Sequence, residues 1–212
     1  MDLAWSPDGN YLAVVLYWRY DTAQNSLNIY SVSGGGGSNL TLTLEYSALS
    51  NNFAYSVDWV NINGTDKLFV CRKRDDLRGY QVDVYDTTTF PGTNPVLVES
   101  FDIPLQGKIR WSYDGNYFGM TSSTASYSET DVFAYHLTGN GDVYSVVDLD
   151  YAKGSPLTIS WHPNDYHVFV GGSYYENDVN GDYFGKIYEF SSDGSVVGLS
   201  LIHISEPTRP LY

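Results

Sequence analysis

A tryptophan that recurs at a regular interval constrains the fold of this chain more than any other feature. Each of these tryptophans follows a short apolar lead-in and precedes a polar turn and an apolar or aromatic run, and successive ones lie roughly 50 residues apart. They are Trp5, Trp59, Trp111 and Trp161. A repeat of this length predicts a chain built from four copies of one supersecondary unit.

A second marker keeps phase with the first. An apolar-x-apolar-aromatic segment follows each tryptophan about half a period later, less regularly in the last unit. The aromatic residues that end these segments are Tyr30, Tyr85, Tyr135 and Phe190. Further strand-like runs lie between the markers, so that each unit is expected to contain four short strands separated by turn-forming residues.

Four strands per unit and a period near fifty residues are typical of β-propeller blades, which stack face to face around a channel. The composition agrees, since the 20 Tyr and 20 Gly suit strands and turns. We therefore predict an all-β partial β-propeller of about four four-stranded antiparallel blades. Their expected ranges are 1–50, 51–103, 104–152 and 153–198, and the four tryptophans are expected to pack between blades.

Three segments allow a family resemblance to be named. The run from Trp5 to Ala13, which contains Ser-Pro-Asp-Gly-Asn, and the Trp-His-Pro run at Trp161 resemble the turn after the first strand in WD-repeat and related Pro-Asp-Gly propellers. The Val82–Asp86 segment resembles the third strand of that family, with Tyr85 where tryptophan is usual. The family's Gly-His dipeptide is missing, so the resemblance does not imply its buried His–Asp network. It implies the fold more strongly than a function.

The carboxyl-terminal segment resembles something other than a protein domain. Residues Leu199 to Arg209 match the in-frame translation of a transposase sequencing adapter. We therefore expect residues 199–212 to be an artefactual tail, with the genuine chain ending near Gly198 and the parent reading frame extending further on both sides.

Net charge and cysteine content limit the kinds of partner and of metal site that this chain can have. A net charge of -14 would repel nucleic acid and anionic membrane surfaces, and no apolar run is long enough to span a membrane. A single cysteine, Cys71, excludes an internal disulfide and a cysteine-based metal site within this chain. The basic residues Arg72, Lys73, Arg74 and Arg78 are interrupted by acids, which predicts a solvated hairpin tip.

No segment predicts a catalytic or cofactor-binding constellation. Asp178, Asn180 and Asp182 place oxygen ligands at alternate positions, as calcium requires. An Asn-Gly turn in a long loop explains the same residues, and we favour that reading. His162 and His167 flank a turn and are expected at the surface rather than on zinc.

The loops between second and third strands are rich in aromatic residues and should emerge on one rim of the propeller. The residues expected to bind a partner there are Trp18, Tyr20, Tyr127, Tyr174 and Tyr175. The sequence favours a protein-interaction scaffold for a protein or glycan partner. The alternative is the propeller of an enzyme, either a lactonase-like metal-dependent hydrolase or the gating ring of a serine peptidase. The compartment is left open.

Overall fold

The computed structural model confirms the all-β partial β-propeller. It describes residues 1–17, 25–34, 40–50, 53–74, 79–103, 106–112, 114–122, 132–137, 143–148, 155–163, 166–174, 182–190 and 196–204. These residues form 16 strands in four antiparallel sheets of four strands each, and they include no helix. The described part of the chain accordingly has no helix that could cross a membrane.

Each sheet takes four consecutive strands in sequence order, which defines a blade. Blade one contains β1 (Asp2–Trp5), β2 (Tyr11–Val15), β3 (Asn25–Ser33) and β4 (Thr41–Ser50). Blade two contains β5 (Ala54–Ile62), β6 (Thr65–Lys73), β7 (Tyr80–Asp86) and β8 (Val96–Ile103). Blade three contains β9 (Gly107–Trp111), β10 (Tyr117–Ser122), β11 (Val132–Leu137) and β12 (Val143–Asp148). Blade four contains β13 (Ser155–Trp161), β14 (His167–Tyr174), β15 (Asp182–Phe190) and β16 (Val196–Ile204).

The first strand of each blade lies innermost. Strand β5 contacts β1 and β9, and β9 also contacts β13, so the first strands of neighbouring blades meet. The fourth strands lie outside: Leu42 and Leu44 of β4 and Val96 and Val98 of β8 are all about half exposed. Residues on the first strands therefore decide what surrounds the propeller axis.

Side chains of a first strand alternate between the two neighbouring blades, because successive residues of a strand point to opposite faces. In β5, Val57 and Trp59 pack in the core between blades one and two. Ser56 and Asp58 point the other way and accept hydrogen bonds from β9. The period-two pattern of the sequence thus alternates between two blade–blade junctions.

Two cores fill the described junctions. The junction between blades one and two buries residues that include Ala13, Leu27, Ile29, Trp59, Leu68, Val70 and Tyr85. The junction between blades two and three buries residues that include Phe69, Cys71, Val84, Ile109, Trp111, Phe118 and Met120. Cys71 is fully buried, and burial is the main reason that the pKa of its thiol is raised to about 12.

The turn after each of two tryptophans is held by its own side chains. Ser6 Oγ donates to Asp8 at 2.6 Å and accepts the Tyr11 backbone N–H at 2.9 Å. Asp8 also accepts the N–H of Asn10 at 3.0 Å, and Gly9 has a φ of 73°, which favours glycine. Blade three repeats these bonds at residues 112–117.

The predicted solvated hairpin tip is wrong for Arg72. Strand β6 continues to Lys73, so Arg72 lies within the sheet and only 6% of it is exposed. Its Nε donates to the buried carboxylate of Asp83 on β7. A buried partner was needed to hold this charge inside the blade.

The backbone of residues 199–204 forms the last six residues of β16. Gly185 pairs with Ile202 and Tyr183 pairs with Ile204, in the same register as the Glu189–Gly198 pair. Six residues of the expected tail therefore lie in blade four, and the boundary at Gly198 stays a prediction.

Candidate functional site: the aromatic rim

The two rims of the propeller differ in how their polar groups are used. On one rim, which we call the turn rim, the first strand of each blade turns into the second. There the carboxylates of Asp8 and Asp114 are taken up by their own turns, and Asp114 also accepts from Tyr166 at 2.8 Å. On the opposite rim, the loop rim, second strands lead toward third strands. The carboxylates of Asp8 and Asp114 on the turn rim are therefore already engaged within the protein.

A row of aromatic side chains crosses the loop rim from blade one to blade two, where Tyr55 and Tyr80 pack against the core of the junction between blades two and three. Tyr17 follows β2, and its ring centroid lies 5.6 Å from Phe53 and 5.2 Å from Tyr55. Tyr55 contacts Tyr80, which begins β7, edge-on at 5.6 Å. Tyr17 is 45% exposed while the other three rings are half-buried, so the row presents ring surface and is anchored in both blades. We call Tyr17, Phe53, Tyr55 and Tyr80 the aromatic row.

Charged groups flank the aromatic row. The ammonium of Lys73 lies 6.0 Å from the centroid of the Phe53 ring, and Arg74 forms an exposed ion pair with Asp102. Burial, followed by the proximity of Tyr80 and Tyr17, raises the pKa of the Tyr55 phenol, so this phenol stays uncharged at neutral pH. Neutral phenols beside mixed charges suit contact and hydrogen bonding rather than acid–base chemistry.

The partner-binding residues predicted from sequence fall mostly beyond the described structure. Trp18, Tyr20, Tyr127 and Tyr175 lie outside the described residues. Tyr174 is the last residue of β14 and therefore lies at the loop rim. Tyr17 is the first residue of the first of these predicted loops, so the aromatic row adjoins the predicted surface. Phe53, Tyr55 and Tyr80 were not predicted; the alternation of aromatic residues at the start of β5 could have indicated them.

The predicted calcium-binding residues also lie mostly outside the described residues. Asp178 and Asn180 lie outside the described residues, and Asp182 begins β15. Within the described ranges no group of His, Cys, Asp or Glu side chains could hold a metal ion.

The innermost strands carry a second polar site, the inner cluster, built around Asp2. The Arg110 guanidinium forms two bonds to this carboxylate, from Nη1 at 3.0 Å and from Nη2 at 2.9 Å. Ser56 Oγ donates to it at 2.6 Å, and Lys108 Nζ lies 3.3 Å from Oδ1. Residues of three blades thus meet at one carboxylate. Burial opposes ionisation of Asp2, but the bonds from Arg110 and Ser56 outweigh it and lower the pKa to about 2.

Asp58 lies beside the inner cluster and has the opposite electrostatics. Its Oδ2 accepts the Trp111 backbone N–H at 2.6 Å, and its Oδ1 accepts the Trp59 N–H at 3.0 Å. Burial raises its pKa to about 6, and the bond from Trp111 and the charge of Arg110 only partly offset that cost. Two neighbouring carboxylates therefore differ strongly in acidity.

The inner cluster joins blades. Besides Asp2, Arg110 Nη1 contacts the carbonyls of Val57 at 3.2 Å and Ile109 at 2.7 Å. Ser56 is fully buried and accepts the Ile109 N–H at 3.0 Å while it donates to Asp2. Most of these donors and acceptors are thereby occupied within the protein. The inner cluster therefore links the first strands of blades one, two and three through side-chain hydrogen bonds and ion pairs.

A buried hydrogen-bond network at the junction of blades one and two was not predicted from the sequence either. Asp83 is fully buried and accepts from Arg72, from Gln81 and, at 2.7 Å, from Ser100. Three strands of blade two are tied together by this carboxylate. In sequence, β7 looks like any other third strand of the repeat. Its only unusual feature is the acidic residue Asp83 between Val82 and Val84.

Solved structures similar to this chain share its architecture. The subtype N10 neuraminidase-like protein of A/little yellow-shouldered bat/Guatemala has a TM-score of 0.53 at 10% identity, with 95% of this chain and 57% of that chain covered. The chain has the β-propeller fold. Hydrazine synthase of Kuenenia stuttgartiensis has a TM-score of 0.62 at 14% identity and 92% and 52% coverage. The exo-β-1,3-galactanase of Phanerochaete chrysosporium has a TM-score of 0.58 at 12% identity and 93% and 52% coverage.

The chain spans about half the length of these propeller structures. At such low identity the similarity establishes the fold alone. No protein-family model and no curated protein matches the sequence.

Proposed function

We propose that this chain is part of a β-propeller that serves as an interaction scaffold and holds a partner on its loop rim. The observation that carries the proposal is the aromatic row, in which the exposed ring of Tyr17 is backed by Phe53 and Tyr55. Rigid aromatic side chains anchored in a sheet give large contact area at low entropic cost, which is why they dominate binding hot spots.

We propose that the loops between second and third strands extend this binding surface. Trp18, Tyr20, Tyr127, Tyr174 and Tyr175 would continue the aromatic row around the rim. With a net charge of -14 on the chain, the favoured partner presents a basic or polyhydroxylated surface. The proposal also includes a WD-repeat-like origin of the blades, supported by the self-bonded Ser-Pro-Asp-Gly-Asn turn.

Selection of displayed random peptides on the intact chain tests the scaffold function. We expect the enriched peptides to be basic and to lose affinity roughly tenfold or more on the Tyr17→Ala variant. The same loss is expected on Tyr174→Ala/Tyr175→Ala. The control is Asn116→Ala on the turn rim, which should leave affinity unchanged. Peptides that bind the rim variants as well as the wild type, but lose affinity for Asn116→Ala, would place the binding surface on the turn rim.

A second candidate function is the propeller of a carbohydrate-acting enzyme. One similar structure is an exo-β-1,3-galactanase, and Asp58 has a raised pKa near the axis, where Asp2 is fully ionised at neutral pH. Two carboxylates of unequal acidity are what glycoside hydrolysis requires. The inner cluster weighs against it, because both oxygens of Asp2 and of Asp58 accept hydrogen bonds from within the protein.

Incubation with soluble β-1,3-galactan separates the two candidates. The scaffold proposal predicts no release of reducing ends by the wild type above the level of an Asp58→Asn variant. Release that depends on Asp58, with rim variants unaffected, would favour the enzyme.

A further inference from the structure

Positively charged side chains gather beside the aromatic row. Among the Lys and Arg side chains that the structure describes, all but Lys67 lie in the loop-rim half of blades two and three or reach toward it. They are Arg72, Lys73, Arg74, Lys108 and Arg110. The surroundings of the row are therefore far less acidic than the net charge of -14 implies. Because salt screens exposed charges beyond about 8 Å at physiological ionic strength, these nearby groups decide which ligand the row attracts.

Lys73 differs from the other cations of this set in its partner. The other four each form an ion pair with an aspartate: Arg72 with Asp83, Arg74 with Asp102, and both Lys108 and Arg110 with Asp2. Within the described part of the chain, the ammonium of Lys73 has a ring contact, 6.0 Å from the centroid of Phe53, and no carboxylate partner. An ammonium on a ring face keeps N–H donors for an anion.

The position of Lys73 places this charge within the aromatic row. Its backbone N–H donates to the Phe53 carbonyl at 2.9 Å, and its Cα pairs with that of Tyr80 across β6 and β7. Rings of the row therefore stand on both sides of the residue that carries the ammonium. Tyr55 and Tyr80 pack on the core between blades two and three, and Tyr17 extends from blade one. The surface thus lies over two blade–blade junctions that the described strands complete.

The rings and the ammonium together select a ligand by shape and charge. The Tyr17 ring lies 5.6 Å from Phe53 and 5.2 Å from Tyr55, tilted by 45° and 33°. Such a row offers successive apolar faces to a chain of ring-shaped units and phenol hydroxyls to their polar edges. A sugar ring has an apolar C–H face and hydroxyl edges, and a carboxylate on it gives the ammonium a charge-assisted hydrogen bond. An acidic peptide supplies the carboxylate without the succession of rings.

We infer that the aromatic row, together with Lys73, binds an acidic oligosaccharide built from uronic acid units. Sugar rings pack on Tyr17 and Tyr55, and one carboxylate accepts a hydrogen bond from the Lys73 ammonium. The inference rests on the proposed function, because it uses the same surface of the loop rim, and it narrows the partner to one chemical class. The acidic remainder of the chain repels long polyanions, so a short oligomer is the expected ligand.

Isothermal titration calorimetry of the intact chain with a trisaccharide of galacturonic acid tests the inference. The methyl ester of the same trisaccharide is the uncharged ligand for comparison. The wild type should bind the acid roughly fivefold more tightly than the ester, because only the acid presents a carboxylate to Lys73. Lys73→Gln should abolish this preference and Lys73→Arg should retain it. The matched control, Lys67→Gln at the turn-rim end of the same strand, should keep the preference.

A ring variant separates stacking from charge. Tyr17→Ala should weaken the acid and the ester alike, by roughly tenfold, and leave their ratio unchanged. An unchanged strand signal in circular dichroism shows that each variant has folded. Absence of binding, equal affinity of the wild type for acid and ester, or a preference that survives Lys73→Gln overturns the inference. Binding of a glutamate oligomer through Lys73, in place of the uronide, would assign the site to an acidic protein segment instead.

The peptide selection that tests the scaffold function gives an independent result. Basic peptides that depend on Tyr17, with no binding of the uronide, would support the scaffold function and remove the acidic oligosaccharide. Binding of the uronide that depends on Lys73, with no enriched peptide, would remove the protein partner and leave the saccharide site.

Discussion

The junction between blades two and three is filled with aromatic rings, whereas the junction between blades three and four closes on a glycine. At the first, Phe69 and Phe118 lie 4.4 Å and 5.2 Å from the ring of Trp111. At the second, the equivalent of Phe69 is Gly119, and Ile159 fills the space that a side chain would take. The repeat fixes the distance between neighbouring blades. A large side chain on one blade is therefore matched by a small one on the facing blade, so that together they fill the space between the two sheets.

The two junctions also differ in how they treat the indole N–H. Trp161 Nε1 donates to the Arg110 carbonyl at 2.8 Å, across the junction. Nε1 of Trp111 is buried and has no hydrogen-bond partner among the described residues. The aromatic junction gains ring contacts, while the glycine junction gains a close backbone approach and a hydrogen bond.

Removal of the central ring should have the largest effect on this comparison. Phe69→Ala deletes a buried side chain and leaves a cavity beside Trp111, so the free energy of unfolding should fall by about 3–5 kcal/mol. Urea denaturation followed by tryptophan fluorescence measures it. Val96→Ala, at an exposed position of the same blade, should change it by less than about 0.5 kcal/mol. A loss at Phe69 as small as at Val96 would mean that the rings do not support the junction.

A methyl group added to the glycine junction should cost less but show stronger coupling. Gly119→Ala places a Cβ that overlaps Cδ1 of Ile159, which should cost about 1–3 kcal/mol. Ile159→Val removes that Cδ1, and the next atom lies 3.3 Å from the new Cβ. The double variant should therefore be more stable than the sum of the two single losses predicts. Strict additivity in urea denaturation would show that Gly119 is not in contact with Ile159.

The aromatic junction should respond to pH through Asp58, which accepts the backbone N–H of Trp111. Its pKa in the folded protein is about 6, above its ordinary value of 3.8, so folding favours the protonated acid. The stability that it contributes is complete below pH 3.8 and is lost as pH rises through 6. Between pH 7 and pH 4 the wild type should gain about 2 kcal/mol relative to Asp58→Asn. Thermal unfolding of both proteins across this range measures the gain, and parallel pH profiles would contradict it.

The repeat, the strand content and the four-blade architecture could be predicted from sequence because period-two alternation and turn chemistry are local. Blade two shows the limit of prediction from local sequence patterns. Arg72 looks like part of a basic loop, yet it is buried because β6 is two residues longer than its apolar run and because the carboxylate of Asp83 on β7 accepts its Nε–H. Such a pairing depends on the register between strands, which single residues do not reveal.

The sites were less predictable than the fold. The tryptophan positions follow from the repeat, but the end of the arc leaves Trp5 exposed while Trp59 is buried at the same position. The inner cluster joins Asp2 to Arg110, residues 108 positions apart in sequence. Only the stacking of consecutive blades, which places their first strands side by side, brings them together. The aromatic row likewise combines residues from two blades.

The smallest predicted effect concerns a hydrogen bond that the glycine junction has on its turn rim. Asp114 has the same turn bonds as Asp8, but it also accepts from the Tyr166 hydroxyl of blade four. Burial raises the pKa of Asp114, and the bonds from Ser112, Asn116 and Tyr166 outweigh this and lower it. Tyr166→Phe should therefore reduce the free energy of unfolding by about 1 kcal/mol.

A double-mutant cycle with Asp114→Asn isolates this bond, because the turn bonds of Asp114 are present in both Tyr166 backgrounds. The cost of Tyr166→Phe should shrink once the carboxylate has been replaced, since a neutral amide accepts a weaker bond than a charged oxygen. Asp8→Asn is the matched control: it changes the equivalent turn of blade one and should leave the cost of Tyr166→Phe as it is. An equal cost in all three backgrounds, measured by urea denaturation, would show that the hydroxyl does not couple blade four to the turn of blade three.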